Sequence, residues 1–151
     1  MLFHDAALSF LHFVFAFILA GALAAEAFVL RLPVDGRVAR LLLRIDVFYA
    51  IAAVGVIAAG VARVYWGGKG ADYYADQPFF WAKLATFAVV GLISIVPTRV
   101  YFAWVKAANT NTAFVVAEAE SKRARLFVMI ELHVLALVPL FAALMARGVG
   151  S

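Results

Sequence analysis

Residues 6–25 read AALSFLHFVFAFILAGALAA and contain no charged side chain. About 20 apolar residues in an α-helix are needed to cross the roughly 30 Å hydrocarbon core of a bilayer. A soluble domain of this size has no interior large enough to enclose such a helix on all sides. The stretch therefore predicts a membrane-spanning helix, and the remaining sequence has to be interpreted with lipid as the solvent.

The composition of the whole chain agrees with a membrane protein. Of its 151 residues, 67% are hydrophobic and 15% are charged, whereas soluble domains are about half apolar and about one quarter charged. The net charge is +4, which we attribute to membrane orientation and lipid contact, with no nucleic-acid partner. The absence of cysteine excludes disulfides, thiolate metal sites and covalent c-type haem attachment.

Three further apolar runs, 47–62, 84–98 and 132–146, are shorter than the first. They can cross the bilayer if the charged residues at their ends extend toward the interface. We predict helices at about 6–30, 45–65, 79–105 and 113–147, with Thr112 capping the last, in a single domain covering residues 1–151. Because short loops make neighbouring helices antiparallel, the predicted fold is an all-α integral membrane four-helix bundle, up-down-up-down, with both termini on the same side.

The distribution of Lys and Arg predicts the orientation of this bundle. Four of them, including Lys69, lie at the termini and in the second loop, and nine lie in the first and third loops, which accounts for all 13. Cytoplasmic loops carry the excess of basic residues in membrane proteins. Both termini are therefore predicted to face the outside.

Helix 1 carries ionisable residues along one face. Four residues of helix 1 are spaced seven positions apart, so each is rotated by only about 20° around the helix axis from the one before it. They are Asp5, His12, Leu19 and Glu26. Ionisable side chains in a spanning helix face the protein interior. At its depth His12 could bind haem iron, relay a proton, or hydrogen-bond to a neighbouring helix.

Two cations are predicted at the same depth as His12. Lys83 lies about one turn into helix 3 and Arg63 lies at the end of helix 2. These residues could share a pocket with His12 on the outer side. The alternative is that both extend to the interface and that Trp81 belongs to the aromatic belt found there.

A second polar group is predicted toward the cytoplasmic half. We expect its opposite charges to pair between helices, because an isolated charge in hydrocarbon costs several kcal/mol. The members are Glu26, Asp46, Arg99, Arg125 and Glu131. His133 is the main candidate for a second axial haem ligand, although its depth differs from that of His12 by roughly 13 Å at 1.5 Å per residue.

Several motifs resemble an uncharacterised family of small four-helix bacterial membrane proteins over nearly the whole chain. They are the helix 1 pattern from Ala20-Gly21-Ala22 to Glu26, Gly67-Gly68-Lys69-Gly70 with Tyr73-Tyr74, Pro78-Phe79-Phe80-Trp81-Ala82-Lys83-Leu84, and Met145-Ala146-Arg147-Gly148. This resemblance implies a location in the bacterial inner membrane.

More distantly, the chain resembles the group of the HemJ-type protoporphyrinogen oxidases and CopD-like proteins. His12 and Trp81-Ala82-Lys83 match a helix 1 histidine and a helix 3 Trp-x-Lys of the HemJ type, which binds haem b. The chain departs from that group in helix 4, where the HemJ type has Arg-x-x-Asn-Glu-x-Pro. Here Arg125 and Glu131 are spaced differently, with no Asn between them.

Two functional hypotheses follow. The first is a haem b-binding membrane redox protein, an oxidoreductase related to the HemJ type that passes electrons to quinone or another membrane partner or acts on a porphyrin. In it His12 is the iron ligand, His133, Arg63 and Trp81 contact the cofactor, and Lys83 and Glu26 are catalytic. The second is a non-enzymatic small transporter or accessory subunit. Small residues such as Gly55 and Gly60 permit close helix packing and a homo-oligomer in either case.

Overall fold

The chain folds into helices joined by short loops. The computed structural model describes residues 2–68 and 70–149, so Lys69 of the predicted basic count and glycine-rich motif lies outside the described residues. The helices are α1 (Leu2–Val29), α2 (Gly36–Trp66), α3 (Ala71–Ala75), α4 (Pro78–Thr110), α5 (Glu118–Leu135) and α6 (Leu137–Ala146). In this part of the chain the only extended pairing is one isolated bridge between Asp35 and Val115, and the predicted all-α class is confirmed.

Four helical segments are long and apolar enough to cross a membrane: Phe3–Val29, Gly36–Trp66, Pro78–Thr110 and Glu118–Ala146. Their outer faces carry large apolar side chains, including Phe17, Phe48 and Leu92, each at least 65% exposed. In water such a surface would drive aggregation, whereas acyl chains solvate it. The expected membrane helical bundle is therefore confirmed.

The second helix begins at Gly36, earlier than the predicted start near residue 45. Asp35 caps it, because its side chain accepts hydrogen bonds from the N–H groups of Arg37 and Val38 at 2.9 and 2.8 Å. Residues 36–44, which include Arg37, Arg40 and Arg44, were predicted as part of the first loop. This segment contains no helix-breaking residue after Gly36, so the helix continues through it before entering the membrane.

The helix boundaries near the third loop also differ from the predicted ones. Helix α4 continues through Pro97 to Thr110, and α5 begins at Glu118, so Thr112 lies in the loop and does not cap a helix. The first and third loops meet, since the Val116 N–H donates to the Val34 carbonyl at 2.9 Å. This hydrogen bond satisfies backbone groups of the two loops. It would not form if a helix started at Thr112, because Val116 would then be helical.

The last predicted helix is divided at Ala136. Pro139 has no N–H, so the carbonyl four residues before it, that of Leu135, loses its helical donor. The backbone adjusts there, and α6 begins at Leu137.

Two contacts between α1 and α2 show the relative direction of these helices. His12 of α1 contacts Val56 of α2, while Glu26, further along α1, lies near Asp46, an earlier residue of α2. Helix α2 therefore packs antiparallel to α1. Between these two levels the interior is apolar and contains Leu19, Leu23, Ala52 and Val90. The side of the membrane that each end faces stays a prediction.

Candidate functional site

A cavity of about 630 Å³ lies at the end of the bundle opposite the first and third loops. Its walls come from α1, α2, α3, α4 and α6 and are largely apolar. Binding sites for cofactors and drug-sized ligands have volumes of roughly 300–1,000 Å³. Four of the predicted site residues line this cavity: His12, Arg63, Trp81 and Lys83.

The imidazole of His12 is oriented by the neighbouring helix. Its Nδ1 lies 3.1 Å from the carbonyl oxygen of Val56. A carbonyl can only accept, so Nδ1 carries the proton and Nε2 keeps its lone pair. Within the described residues Nε2 has no hydrogen-bond partner, and it is therefore free to bind a ligand in the cavity.

Glycine on α2 makes room for this arrangement. A Cβ atom at Gly55 would lie 2.5 Å from the Phe15 ring, so only glycine allows α1 to approach here. One turn further, a Cβ at Gly60 would lie 3.5 Å from Cε1 of His12. Gly55 thus lets α1 come close enough for His12 to reach Val56, in agreement with the predicted close helix packing there, whereas the distance at Gly60 would also admit an alanine.

Two cations face the same cavity. Lys83 has its Nζ 4.9 Å from the centre of the Phe80 ring and 5.9 Å from that of Tyr74, distances at which a cation is attracted to an aromatic face. The Nε of Arg63 is buried and has no hydrogen-bond partner among the described residues. No Asp or Glu is among the described residues that line the cavity, so its charge is positive.

Trp81 connects the short helix α3 to α4. Its indole N–H donates to the carbonyl of Ala75 at 3.0 Å, and 57% of the side chain is exposed. The tryptophan therefore holds one wall of the cavity in place, and its place in an aromatic belt stays a prediction.

His133 lies away from these residues. Its side chain is exposed, and its Nδ1 is 2.6 Å from the carbonyl of Met129 in the same helix. It does not line the cavity with His12. In the described part of the chain no three His, Asp or Glu side chains are placed to bind one metal ion, so a metal hypothesis depends on His12 alone.

Glu26 also lies outside the cavity, in a buried carboxyl cluster formed by Glu26, Asp46 and Glu131. The expected pairing of these acids with Arg99 or Arg125 is not found. Across residues 2–68 and 70–149 the single ion pair is that of Lys122 with Glu118, at 2.7 Å on the surface. Hydroxyl groups accompany the acids: Tyr101 donates to Glu26 at 3.1 Å and Thr98 to Asp46 at 2.9 Å.

Comparison with protein families identifies the chain's relatives. The family described as "Predicted membrane protein (DUF2214)" matches residues 4–150, nearly the whole sequence. The chain belongs to the DUF2214 family. This confirms the resemblance to an uncharacterised membrane family, and the similarity to the HemJ type stays a prediction. Searches of curated proteins and of solved structures give no match.

Some features of the site in this DUF2214 protein were missed by the sequence analysis. The Val56 carbonyl that orients His12 belongs to an ordinary backbone group, and no sequence signal distinguishes it. Phe80, which lies beside Lys83, was available as a signal, because an aromatic residue three positions before a lysine lies beside it on a helix. Tyr74 lies on α3 and contacts Lys83 through the tertiary fold, which no such spacing indicates.

Proposed function

We propose that the cavity binds haem b, with Nε2 of His12 as the axial ligand, and that the protein is a membrane redox protein. The observation that carries the proposal is the hydrogen bond from His12 Nδ1 to the Val56 carbonyl. Histidines that bind metal through one ring nitrogen almost always donate the other N–H to a carbonyl or carboxylate, which fixes the tautomer and the ring orientation. His12 has this arrangement at the wall of a cavity of suitable volume.

The charges of the cavity support an anionic ligand. Arg63 and Lys83 line it without an acidic residue beside them. Both cations are half-buried. A cation that loses part of its hydration without gaining a counter-charge is unfavourable, and the two propionates of haem b would supply that counter-charge. The apolar walls would enclose the porphyrin ring.

Bound haem would supply one-electron chemistry through its iron. The role of the chain is to orient the ligand through His12 and to hold the propionates at the two cations. Electrons would pass to a quinone or to a membrane protein partner, since residues of the candidate membrane spans line the cavity.

An absorption spectrum of protein purified in detergent, after expression with added haem precursor, tests the proposal. We expect a Soret band that His12→Ala removes. His133→Ala is the matched control, because it deletes the same imidazole from an exposed position, and it should retain the band. Colourless wild-type protein, or a band lost equally in both variants, would contradict haem binding at this cavity.

A further inference from the structure

The carboxyl cluster does not line the cavity, and its geometry points to a second site. We propose that Glu26, Asp46 and Glu131 form a proton-binding site in the half of the bundle remote from the cavity. Along α1, Glu26 lies 14 positions after His12, or roughly 21 Å at 1.5 Å per residue. The proposal does not depend on haem.

Three helices each contribute one acid to this cluster. Glu26 lies on α1, Asp46 on α2 and Glu131 on α5, and the three are 1%, 4% and 0% exposed. They are close enough to one another for their charges to interact. A spanning helix has few ionisable residues, and those that face the interior of a bundle are typical of proton and ion pathways.

The carboxyl oxygens of the cluster are only partly hydrogen-bonded. Tyr101 donates to Oε2 of Glu26, and Thr98 donates to Oδ1 of Asp46. Oε1 of Glu26 and both oxygens of Glu131 are buried with no hydrogen-bond partner in the described residues. A buried carboxylate oxygen without a donor loses its hydration with nothing in return, which favours neutralisation of the acid by a proton or a cation.

The titratable groups around the cluster supply no such charge. Tyr49 of α2 lies beside Glu131, and Tyr101 of α4 donates to Glu26. Both are neutral phenols in a buried setting. No Lys, Arg or His forms an ion pair with any of the three acids in the part of the chain that the structure describes.

Either a metal ion or protons could neutralise the acids. The three carboxyls are not placed to bind one metal ion, as judged over the described residues. Like charges in one buried site cannot all be ionised, and carboxyl groups that share a site bind protons instead. A protonated carboxyl also acquires an O–H donor of its own.

Infrared spectroscopy of the purified full-length protein in lipid bilayers tests this proposal. We expect the carbonyl stretch of a protonated carboxylic acid at neutral pH, and a shift of this band in deuterium oxide because the proton exchanges. Glu26→Gln, Asp46→Asn and Glu131→Gln should each remove part of the band. Glu118→Gln changes a surface glutamate that pairs with Lys122, and it should leave the band unchanged.

The amide replacements have nearly the shape of the protonated acids, so we expect them to fold, with helical circular dichroism as the check. If one variant fails to fold, the carbonyl band of the wild-type protein and its shift in deuterium oxide still test the proposal. Absence of the band at neutral pH, absence of the shift, or a band unaffected by all three substitutions would overturn the proposal. His12→Ala should keep the band, which separates this test from that of haem binding.

Discussion

Single side chains in this protein take their roles from partners on other helices. His12 has one ring nitrogen directed at the Val56 carbonyl and the other free, a distinction that exists only because α2 lies beside α1. Lys83 likewise lies over two aromatic rings, Phe80 and Tyr74. These contacts orient the His12 ring and the Lys83 ammonium group relative to the cavity.

The first prediction concerns the charge of Lys83. Lys83→Gln should weaken haem binding about ten- to a hundredfold, because a charged hydrogen bond contributes about 1.5–3 kcal/mol and about 1.4 kcal/mol is a factor of ten in affinity. Lys83→Arg should retain most of the affinity. Titration of the purified protein with haem measures this. Lys106→Gln removes an exposed lysine near the opposite end of α4 and should have no effect; equal affinities for both glutamine variants would count against the proposed role.

Between elements, the contact of α1 with α2 depends on glycine. A methyl group at Gly55 would lie 2.5 Å from the Phe15 ring, whereas nothing lies within 4 Å of a methyl group at Gly21. Gly55→Ala should therefore lower stability by about 1–3 kcal/mol through overpacking. Gly21→Ala, the control, should be neutral or slightly stabilising because alanine favours helix. Thermal melts in detergent compare them, and equal melting temperatures would contradict the packing argument.

The start of α2 should give a pH-dependent stability. Hydrogen bonds from the N–H groups of Val38 and Arg37 hold the pKa of Asp35 below its usual value. The capping contribution is therefore fully present above the pKa of the unfolded state and is lost as the pH falls through the lowered pKa of the folded state. Asp35→Ala should lower the melting temperature at neutral pH, and the difference from wild type should shrink in acid.

Asp35→Asn provides the control for this element, since asparagine caps helices without titrating. Its melting temperature should stay near that of the wild type at neutral pH. A deficit of Asp35→Ala that persists unchanged at low pH would show that the carboxylate charge plays no part.

At the scale of the whole molecule, the basic residues predict the orientation in the membrane. The chain has no cysteine, so single cysteines can be labelled without background. Gly68→Cys in the second loop should react with a membrane-impermeant thiol reagent in intact cells, and Asn111→Cys in the third loop should react only after lysis. The reverse pattern would invert the bundle and place the proposed haem cavity near the cytoplasm.

The fold was predictable because a bilayer imposes a simple requirement on each spanning segment. A run such as residues 6–25 must be a helix, since no water is present to satisfy its backbone. The ends of the helices were less predictable, because polar residues such as Arg40 and Lys106 are compatible with both loop and helix outside the hydrocarbon. The division at Ala136 was missed, although Pro139 was the available signal.

For the candidate site, sequence alone selected His12, Arg63, Trp81 and Lys83, which the structure brings to one cavity. It did not predict the partners of the acids. Charge complementarity favoured arginine for Glu26, yet Arg99 is exposed and a tyrosine contacts Glu26 instead. The rotation of each helix about its axis decides which residue faces inward, and that rotation depends on packing with several neighbours at once.

The sequence by itself determined that this chain crosses a membrane in four helical spans, because hydrophobicity and length act locally along the chain. Only the tertiary structure decided that His12 shares a cavity with two cations while Glu26 joins two other buried acids. His12 and Glu26 lie in separate sites because of contacts between residues that are far apart in sequence. The energies of such contacts cannot be predicted from a local sequence pattern.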